Sequence, residues 1–503
     1  MMDKKVLVAG SGPTGLAMAA GLEKHGVPFR IIDKAPAPGG ESRAMIVHAR
    51  TLEMYDQFGL AEEMINRGII LNNVSFFNEG KRRARFNLED IGEGLSSFPF
   101  VLSLPQDEHE RIITDYLKRR NIEIEWETEL IDLEETEGTV KATIEKQGSR
   151  TIDEYEYVAG CDGVGSTVRK SLDFDFPGGT YEEMFFVTDL VSKYDIDGVQ
   201  VHLFEAGFAL LLPVRTTGSV RVIGLVPENI VRQAEDIGFE DIEAYLKGNI
   251  GITASKVNWF STYNVHHRVS ENFRRSNVFI LGDAGHVHSP AGGQGMNTGI
   301  GDAMNLSWKL AEVIDGKLDR EALATYEPER IAFARLLVNT TDEVFKAMVG
   351  SGSVFASLRG FILPNVIPGL LNYKRWKKMM FRLVSQIHID YNQSDLSKGR
   401  AGRLRGGDRL PWVPYYDGDN HDALKSFEWQ YHLYGQTSVE MRKHIKKSGI
   451  ELHEFNWTAE VRSAGIKKNT VMLVRPDGYI AVIDNENNVE RFFEYVQTYL
   501  KGF

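Results

Sequence analysis

Cysteine is almost absent from this chain of 503 residues, in which Cys161 is the single thiol. A disulfide within the chain is therefore impossible, and a metal site built from several thiolates has no residues to form it. His286 and His288 suggest a metal pair, but no carboxylate or thiol is spaced to complete the ligand set. We expect a small, buried, unreactive Cys161 and no metal site.

Long apolar runs and an excess of basic residues are also absent. No stretch is apolar enough to span a bilayer, and the N-terminal residues run directly into a strand pattern without room for a signal peptide. The formal net charge of -12 argues against general nucleic-acid binding. The composition, 42% hydrophobic and 25% charged, is that of a soluble globular protein. We expect a cytoplasmic protein of roughly two to four domains with no nucleic-acid or membrane partner, and a homo-oligomer is left open.

The first thirty residues combine a strand, a glycine-rich turn, a helix and a second strand. Val6–Ala9 is an apolar run, the turn GSGPTG follows at 10–15, and a second apolar run at Phe29–Ile32 ends on Asp33. A lone GxGxxG pattern is a weak signal because glycine-rich turns are common. The complete order of strand, turn, helix, strand and acid predicts a dinucleotide-binding unit, with a glycine-rich turn in an unrelated α/β protein as the alternative.

Each glycine of this turn has its own physical reason. Gly10 permits the tight strand-to-helix turn, Gly12 lets a pyrophosphate approach the backbone, and Gly15 allows the helix to pack closely on the strand. The N-terminus of the helix offers N–H groups and the positive end of its dipole to the phosphates. Asp33, at the end of the second strand, can accept hydrogen bonds from ribose hydroxyls.

Two further glycine-rich stretches follow. In the first, AGCDGVGSTVR at 159–169, a strand pattern ends at Asp162 and a helix pattern begins near Ser166. In the second, at 277–299, a short apolar strand ends at Asp283, whose carboxylate can hold a polyol chain, and a glycine-dense loop then enters a helix. So many glycines indicate a flat or anionic ligand pressed against the main chain.

The rest of the chain shows three further patterns. From Tyr181 to Ser261, β-rich segments predict a mostly antiparallel sheet that can wall a pocket for an organic substrate. The basic segment Tyr373–Arg382 predicts a helix packed on the core with a charged outer face, and a membrane-surface helix is the weaker alternative. The Gly/Arg-rich segment Ser397–Arg409 indicates a domain boundary, and Leu410–Phe503 has strand and helix patterns of its own.

Three motifs of this chain resemble those of the class A flavoprotein monooxygenases, the family of para-hydroxybenzoate hydroxylase and phenol hydroxylase. They read GSGPTG with its later Asp33, CDGVGSTVR, and LGDAGHVHSPAGGQGMNTGIGDAMNLSWKL. The similarity covers nearly the whole chain and is greatest to the aromatic-polyketide branch. It implies an α/β fold with a Rossmann-like FAD-binding domain of the GxGxxG type at 1–175 and 270–393, an inserted, mostly antiparallel β-sheet substrate domain at 176–269, and a thioredoxin-like C-terminal domain at 394–503.

The resemblance also implies a site for non-covalent FAD. It assigns the ADP half to the first motif with Asp33, the ribityl chain to Asp283, and the isoalloxazine ring to the loop that begins at Pro290. For Arg43, a surface ion pair is an equal alternative to a cofactor contact. The implied cofactor-binding residues are Gly10, Gly12, Pro13, Thr14, Gly15, Asp33, Arg43, Gln106, Asp162, Asp283, Pro290, Gly293, Gly295, Met296 and Asn297.

Arg221 and Pro290 are the implied catalytic residues. Alternation on the strand that begins at Val220 places Arg221 on the face opposite Val220 and Val222. In para-hydroxybenzoate hydroxylase a similar hairpin carries an arginine near the flavin, six residues after another arginine, as Arg221 follows Arg215 here. The resemblance implies that Arg221 influences flavin reduction, and a solvent-facing strand arginine is the alternative.

The implied reaction is reduction of FAD by NADPH or NADH, capture of O₂ as a flavin hydroperoxide, and insertion of one oxygen atom into a small aromatic substrate of phenolic or polyketide-like type. Three alternatives remain open: a Baeyer–Villiger oxygenation, a flavin-dependent reductase or dehydrogenase without oxygen insertion, and a flavoprotein that only binds. The sequence identifies neither the nicotinamide cofactor, nor the substrate, nor the side chain that activates it.

Overall fold

The computed structural model describes residues 5–39, 44–194, 196–204, 207–215, 219–231, 237–289, 291–349 and 373–502, and the statements below concern these residues. Their α-helices are α1 (Pro13–Lys24), α2 (Ala49–Asp56), α3 (Ala61–Arg67), α4 (Gln106–Lys118), α5 (Thr167–Ser171), α6 (Glu228–Val231), α7 (Phe239–Asn249), α8 (Gly295–Ile314), α9 (Tyr326–Val349), α10 (Lys374–Val384), α11 (Val439–Ser448), α12 (Ala459–Ser463) and α13 (Val489–Tyr499). Short 3₁₀ turns lie at Gly282–Ala284, Ala291–Gly293, Arg320–Thr325 and Asp422–Ser426.

A five-stranded sheet contains the first motif. Its strands are β1 (Val6–Ala9), β2 (Phe29–Ile32), β11 (Tyr157–Gly160), β17 (Arg274–Arg275) and β18 (Val278–Ile280), in the order β17-β18-β11-β1-β2. All pairs are parallel except β17 with β18 at the edge. The first two strands have the predicted bounds, and their unbroken apolar runs suit a parallel sheet covered on both faces. Helices α1 and α8 pack against each other beside it.

An eight-stranded sheet lies beside this unit. Its strands are β5 (Asn73–Asn78), β6 (Lys81–Asn87), β12 (Gly178–Val191), β13 (Val199–Phe204), β14 (Gly207–Arg215), β15 (Ser219–Leu225), β16 (Lys256–Val269) and β19 (His286–Val287), in the order β19-β16-β12-β15-β14-β13-β5-β6. Only β13 and β5 pair in parallel, so the sheet is mostly antiparallel as predicted. Strands from both flanking segments of the chain extend it beyond the predicted range.

Three smaller sheets, the last of them in the C-terminal region, accompany these two. They consist of β8 (Thr128–Glu135), β9 (Val140–Lys146) and β10 (Ser149–Tyr155); of β3 (Ile46–Val47), β7 (Leu102–Ser103) and β4 (Ile69–Ile70); and of β22 (Pro414–Tyr415) with β23 (Gly418–Asp419). Because β3 leads directly into α2 and its Ile46 carbonyl oxygen accepts a hydrogen bond from Asn297 of α8, the sheet of β3, β7 and β4 holds the start of α2 beside the third motif.

The C-terminal region forms a six-stranded mixed sheet. Its strands are β20 (Lys398–Ala401), β21 (Leu404–Arg405), β24 (Gln430–Tyr434), β25 (Glu451–Phe455), β26 (Thr470–Val474) and β27 (Ile480–Asp484), in the order β21-β20-β27-β26-β24-β25. The segment Ser397–Arg409, which the sequence suggests is a boundary, instead contributes β20 and β21 to this sheet. The segment is glycine-rich, which is typical of a loop, but β20 is ordered by backbone pairing with β27 and β21.

A buried polar network joins the C-terminal sheet to α8 and α9. In the β26–β27 turn, Arg475 donates bidentate hydrogen bonds to Glu329 of α9 (2.9 and 3.0 Å) and also bonds Asp477. Lys309 Nζ lies 2.8 Å from Glu329, and Trp308 Nε1 donates to Asp477 at 3.1 Å. All five side chains are buried, so the C-terminal sheet shares a core with the rest of the chain.

Helix α10 departs from the sequence prediction. The expected core-packed helix buries only Phe381 fully, against Ile91 and Ile387. Trp376 and Leu383 are instead exposed. None of the described helices is both long and apolar enough to cross a membrane.

Candidate functional site

A groove opens where β1 and β2 end beside the second motif. It has a volume of about 220 Å³. Its lining residues are Ala9, Gly10, Ile32, Asp33, Lys34, Thr128, Glu129, Leu130, Cys161, Asp162, Gly163, Gly165 and Thr167. Asp33 and Asp162 are about 130 residues apart in the chain. Both line this groove because parallel strands end at the same edge of a sheet.

The glycines of the first motif have the roles that their spacing predicts. Gly10 has φ +100°, and a Cβ there or at Gly15 would overlap backbone carbonyl oxygens of Cys161 or Gly10. Gly12 differs, because no described residue places an atom within 4 Å of the position its Cβ would take. The N-terminus of α1 therefore faces open space at the point where a pyrophosphate is expected.

Thr14 has a packing role in this structure. Its side chain fills the space where Cβ atoms at Gly282 and Gly299 would lie. The first and third motifs can therefore approach each other only because both of those positions are glycine.

Asp33 is fixed by its own chain. Oδ2 accepts hydrogen bonds from the Ser11 N–H (2.6 Å) and hydroxyl (2.9 Å), and Oδ1 accepts from the Ala35 N–H (2.9 Å). A carboxylate has about four acceptor sites, so one is left for a ribose hydroxyl.

Asp162 provides a direct test of whether a ligand fits the groove. Its Oδ2 accepts the Val168 N–H at 3.1 Å, whereas Oδ1 is buried without a hydrogen-bond partner among the described residues. A buried acceptor left in this state is unfavourable unless a bound group donates to it. Together with the open cradle at Gly12, this orphaned oxygen fits a polar dinucleotide such as FAD.

The third motif contacts the first motif at Thr14, and its loop also has glycines that a side chain would crowd. Gly292 and Gly293 have φ of 77° and 62°, and a Cβ at Gly293 would lie 2.7 Å from Cβ of Ile46. Asp283 is exposed in its 3₁₀ turn. Helix α8 begins at Gly295, so the N–H groups of its first turn, including that of Met296, have no acceptor within the helix.

The side chain of Asn297 stabilises the contact between α8 and the start of α2. Nδ2 donates to the carbonyl oxygens of Ile46 and Gly293 (2.8 Å each), and Oδ1 accepts from the His48 N–H and the Thr51 hydroxyl. The side-chain atoms of Asn297 thus bond within the protein, and its backbone N–H is the group left for the predicted flavin contact.

A buried acid that the sequence analysis missed stabilises this motif. Asp302 of α8 accepts hydrogen bonds from Arg330 Nε (2.6 Å) and the Gly282 N–H (2.9 Å), and its Oδ2 lies 2.7 Å from His286 Nε2. Burial alone would raise the pKa of Asp302, but Arg330 and His286 outweigh it and hold the pKa below its usual value. His286 is thus a partner of Asp302. The only sequence signal was an acid inside an apolar helical pattern.

Gln106 contacts the segment that follows the predicted Arg43. Its Oε1 accepts the Ala44 N–H at 3.2 Å, and its Nε2 donates to Glu110 at 2.8 Å. Burial raises the pKa of Glu110 to about 7. Arg43 and Pro290 themselves lie outside the described residues.

Arg221 is buried, so the solvent-facing alternative is wrong. Its exposed fraction is 0%, and Nε and Nη2 donate to the two oxygens of Asp189 at 2.7 Å each. Trp259 Nε1 also donates to Asp189, at 3.0 Å. Val220 and Val222 pack on the other face with α7, as strand alternation predicts.

One face of the eight-stranded sheet carries a cluster of aromatic side chains, the aromatic wall. Phe185, Phe208, Tyr263 and the partly buried Tyr181 pack in one cluster there. The Tyr181 hydroxyl donates a hydrogen bond to Asp342 of α9. Burial, and then this hydrogen bond, raises the pKa of Tyr181 above its usual value.

The pair of Tyr181 and Asp342 lies next to the third motif. Helix α9 packs against the Ala291–Gly293 turn, and Thr341, the residue before Asp342, accepts a hydrogen bond from the Ser289 hydroxyl at 3.3 Å. No local pattern connects a strand tyrosine with a helix acid 161 residues away, which is why the sequence analysis did not identify it.

Comparisons with known proteins agree with this geometry. The profile of a family described as "FAD binding domain" matches residues 3–341. The 6-methylpretetramide 4-monooxygenase of Streptomyces rimosus is 32% identical over 95% of this chain and 90% of its own length. The pentachlorophenol 4-monooxygenase of Sphingobium chlorophenolicum is 31% identical over 81% of this chain and 76% of its own. A solved structure of an aromatic hydroxylase from angucycline biosynthesis superposes with a TM-score of 0.78 at 25% identity, over 98% of this chain and 99% of that one.

The chain belongs to the FAD binding domain family. It is an FAD-dependent monooxygenase of the class A type.

Replacing Gly12 by Ala is expected to weaken FAD binding roughly ten- to a hundredfold while leaving the fold intact. The added methyl group meets no atom of the described residues within 4 Å, but it enters the space expected for the pyrophosphate. Gly248→Ala in α7, where a Cβ also meets open space and the backbone is helical, controls for the loss of glycine away from the groove. Fluorescence titration of the apoprotein with FAD measures the effect, and equal affinities of the two variants would contradict it.

Proposed function

We propose that this enzyme inserts one oxygen atom from O₂ into an aromatic substrate of phenolic or polyketide-like type, with NADH or NADPH as electron donor. The observation that carries the proposal is the aromatic wall with its pair of Tyr181 and Asp342, beside the third motif. The relatives named above, which act on a pretetramide and a chlorinated phenol, support this substrate class.

We propose that FAD lies along the three motifs. Asp33 would hold the ribose, the α1 N-terminus the pyrophosphate, Asp283 the ribityl chain, and the first turn of α8 at Met296 and Asn297 the edge of the ring system. Reduced FAD supplies the activated oxygen when it is bound. The protein contributes binding, orientation and proton transfer.

Tyr181 and Asp342 are proposed to activate the substrate. A ring accepts an electrophilic oxygen more readily when its hydroxyl group is ionised, so the site needs a proton acceptor. The Tyr181 hydroxyl donates to Asp342, and a hydroxyl oxygen that donates one proton can also accept another, here that of the substrate's hydroxyl. As that proton moves to Tyr181, the tyrosine proton moves to Asp342, and the products are a phenolate and a neutral carboxylic acid. The raised pKa of Tyr181 keeps the tyrosine protonated between turnovers.

Arg221 is proposed to act as part of an ion pair. Asp189 neutralises most of its charge, and the pair links β12 with β15 on the sheet face that carries Ile223 and Leu212. Its influence on flavin reduction would therefore depend on holding this face in position.

We also propose the finer architecture that the motifs imply. Residues 1–175 and 270–393 would form a Rossmann-like FAD domain, 176–269 the centre of the substrate sheet, and 394–503 a thioredoxin-like domain without redox activity. The buried network around Arg475 supports a packing role for that last domain. A cytoplasmic location and a homo-oligomer remain proposals.

Turnover of candidate phenols under oxygen-18 gas with NADPH or NADH tests the function. One labelled atom is expected in a hydroxylated product with an intact ring, and the other in water. A labelled ester or lactone would indicate Baeyer–Villiger oxygenation instead. Nicotinamide oxidation that yields hydrogen peroxide but no labelled product from any aromatic substrate would contradict oxygen insertion.

A further inference from the structure

Helix α10 carries an unusual concentration of positive charge. It contains five basic residues and no acid, in a chain whose formal net charge is -12. The basic residues are Lys374, Arg375, Lys377, Lys378 and Arg382. The electrostatic potential at this helix is therefore positive, whereas the net charge of the protein is negative.

Large apolar side chains are exposed on the same helix. Tyr373, Trp376, Met379 and Leu383 are 67%, 41%, 48% and 56% exposed. Trp376, Met379 and Leu383 follow the i, i+3, i+7 spacing, so they form one stripe along the helix. A contiguous exposed stripe of this kind marks an interaction site more often than an isolated exposed residue does.

Two arginines border this stripe. Arg375 and Arg382, seven residues apart, are exposed and lie beside Met379 on the helix surface. Asp90 and Glu93 pair with two of the lysines, at 2.5 and 3.4 Å. Arg375, Lys378 and Arg382 have no carboxylate within ion-pairing distance among the described residues, so their charge faces outward.

We propose that the α10 surface, formed by Tyr373, Arg375, Trp376, Met379, Arg382 and Leu383, docks on the surface of an anionic lipid bilayer. Arginine side chains reach lipid phosphates while their stems and neighbouring apolar groups enter the headgroup boundary. Tryptophan favours the same depth because one edge of its ring is polar.

The charge pattern favours lipid over an acidic protein as the occupant. An acidic protein surface would match the cations but would leave three large apolar side chains to be covered by charged groups. A bilayer interface accommodates both together. An eleven-residue helix spans about 16 Å, well short of the roughly 30 Å hydrocarbon core, so the inferred association is peripheral.

The docked face adjoins the site described above. At the C-terminal end of α10, the Val384 carbonyl oxygen accepts a hydrogen bond from Gln294 Nε2 at 3.0 Å. Gln386 Nε2 donates to Gln294 Oε1 at 2.7 Å. The bilayer would therefore lie close to the glycine-rich loop of the third motif. The proposal does not depend on which substrate the enzyme uses.

Sedimentation of the FAD-loaded protein with vesicles tests the proposal. Vesicles of phosphatidylcholine and phosphatidylglycerol in a 3:1 ratio are compared with pure phosphatidylcholine. We expect at least about tenfold stronger binding to the anionic vesicles, decreasing as salt is added. The double variants R375Q/R382Q and W376S/L383S should each lower that binding roughly tenfold while keeping bound FAD and melting temperature.

Matched variants on other helices serve as controls. K446Q/K447Q removes two exposed lysines from α11, and V439S/F493S removes two exposed apolar residues from α11 and α13. Both should bind anionic vesicles as the wild type does. Equal binding of all variants, equal binding to both vesicle types, or no vesicle binding at all would overturn the proposal. So would a dimer that W376S/L383S abolishes in the absence of vesicle binding.

Discussion

Replacing Asp342 by Asn is expected to lower kcat for hydroxylation of a phenol by about two to four orders of magnitude. The amide cannot accept the proton that Tyr181 passes on, so the substrate hydroxyl stays protonated and the ring is less reactive. FAD binding should be unchanged, because the variant alters neither the groove nor the third motif. Nicotinamide oxidation is then expected to continue with release of hydrogen peroxide.

The dependence on substrate acidity separates this role from a structural one. Phenols with electron-withdrawing substituents ionise without help, so the defect of Asp342→Asn should shrink as the pKa of the phenol falls. Tyr181→Phe should show the same trend, because it interrupts the same relay. Glu343, the exposed acid that follows Asp342 on α9, provides the control. Glu343→Gln should leave kcat unchanged for all of these phenols. A defect that is equal for acidic and ordinary phenols would assign the pair to packing.

Replacing Arg475 by Leu is expected to lower the free energy of unfolding by about 3–5 kcal/mol. Arg475 is fully buried and bonds both Glu329 and Asp477, so its removal leaves two buried carboxylates short of positive charge. Among the described cations, Lys309 then remains paired with Glu329, which also accepts hydrogen bonds from Asn305 and Ser394. Urea unfolding followed by tryptophan fluorescence measures the change, because Trp308 lies in the network.

Arg442 provides a matched control with the same bond geometry at the surface. It donates two hydrogen bonds to Glu454, at 2.8 and 2.9 Å, but both side chains are about half exposed. Arg442→Leu should change the free energy of unfolding by at most about 1 kcal/mol, because solvent screens the pair. Equal destabilisation by the two variants would refute the importance of burial.

The pH dependence of this difference has a definite sign. Burial alone would raise the pKa of Glu329, but Arg475 and Lys309 outweigh it and hold the pKa well below its usual value. A lowered carboxylate pKa stabilises the fold above the unfolded-state pKa of about 4.3, and this stabilisation is lost as the pH falls toward the folded-state value. The gap between wild type and Arg475→Leu should therefore narrow in acid.

Features that depend on neighbouring residues could be predicted from the sequence alone. The bounds of β1 and β2 agree with the prediction, because periodicity and the flanking turn residues are local. The need for glycine at Gly10 and Gly15 is local in the same way, since a strand-to-helix turn leaves no space for a side chain. The three motifs also sufficed for the family, because each is a short pattern of neighbouring residues.

Only the tertiary structure decided which distant residues meet. Sheet order and helix packing bring separate segments of the chain together. The hydrogen-bonded pairs that result are Asp302 with Arg330, Tyr181 with Asp342, and Arg475 with Glu329. The same holds for the exposure of α10, whose pattern alone fits a core helix as well as a surface one. The strength of an ion pair and the burial of a side chain depend on the residues that surround them in three dimensions. A sequence pattern does not show which residues those are.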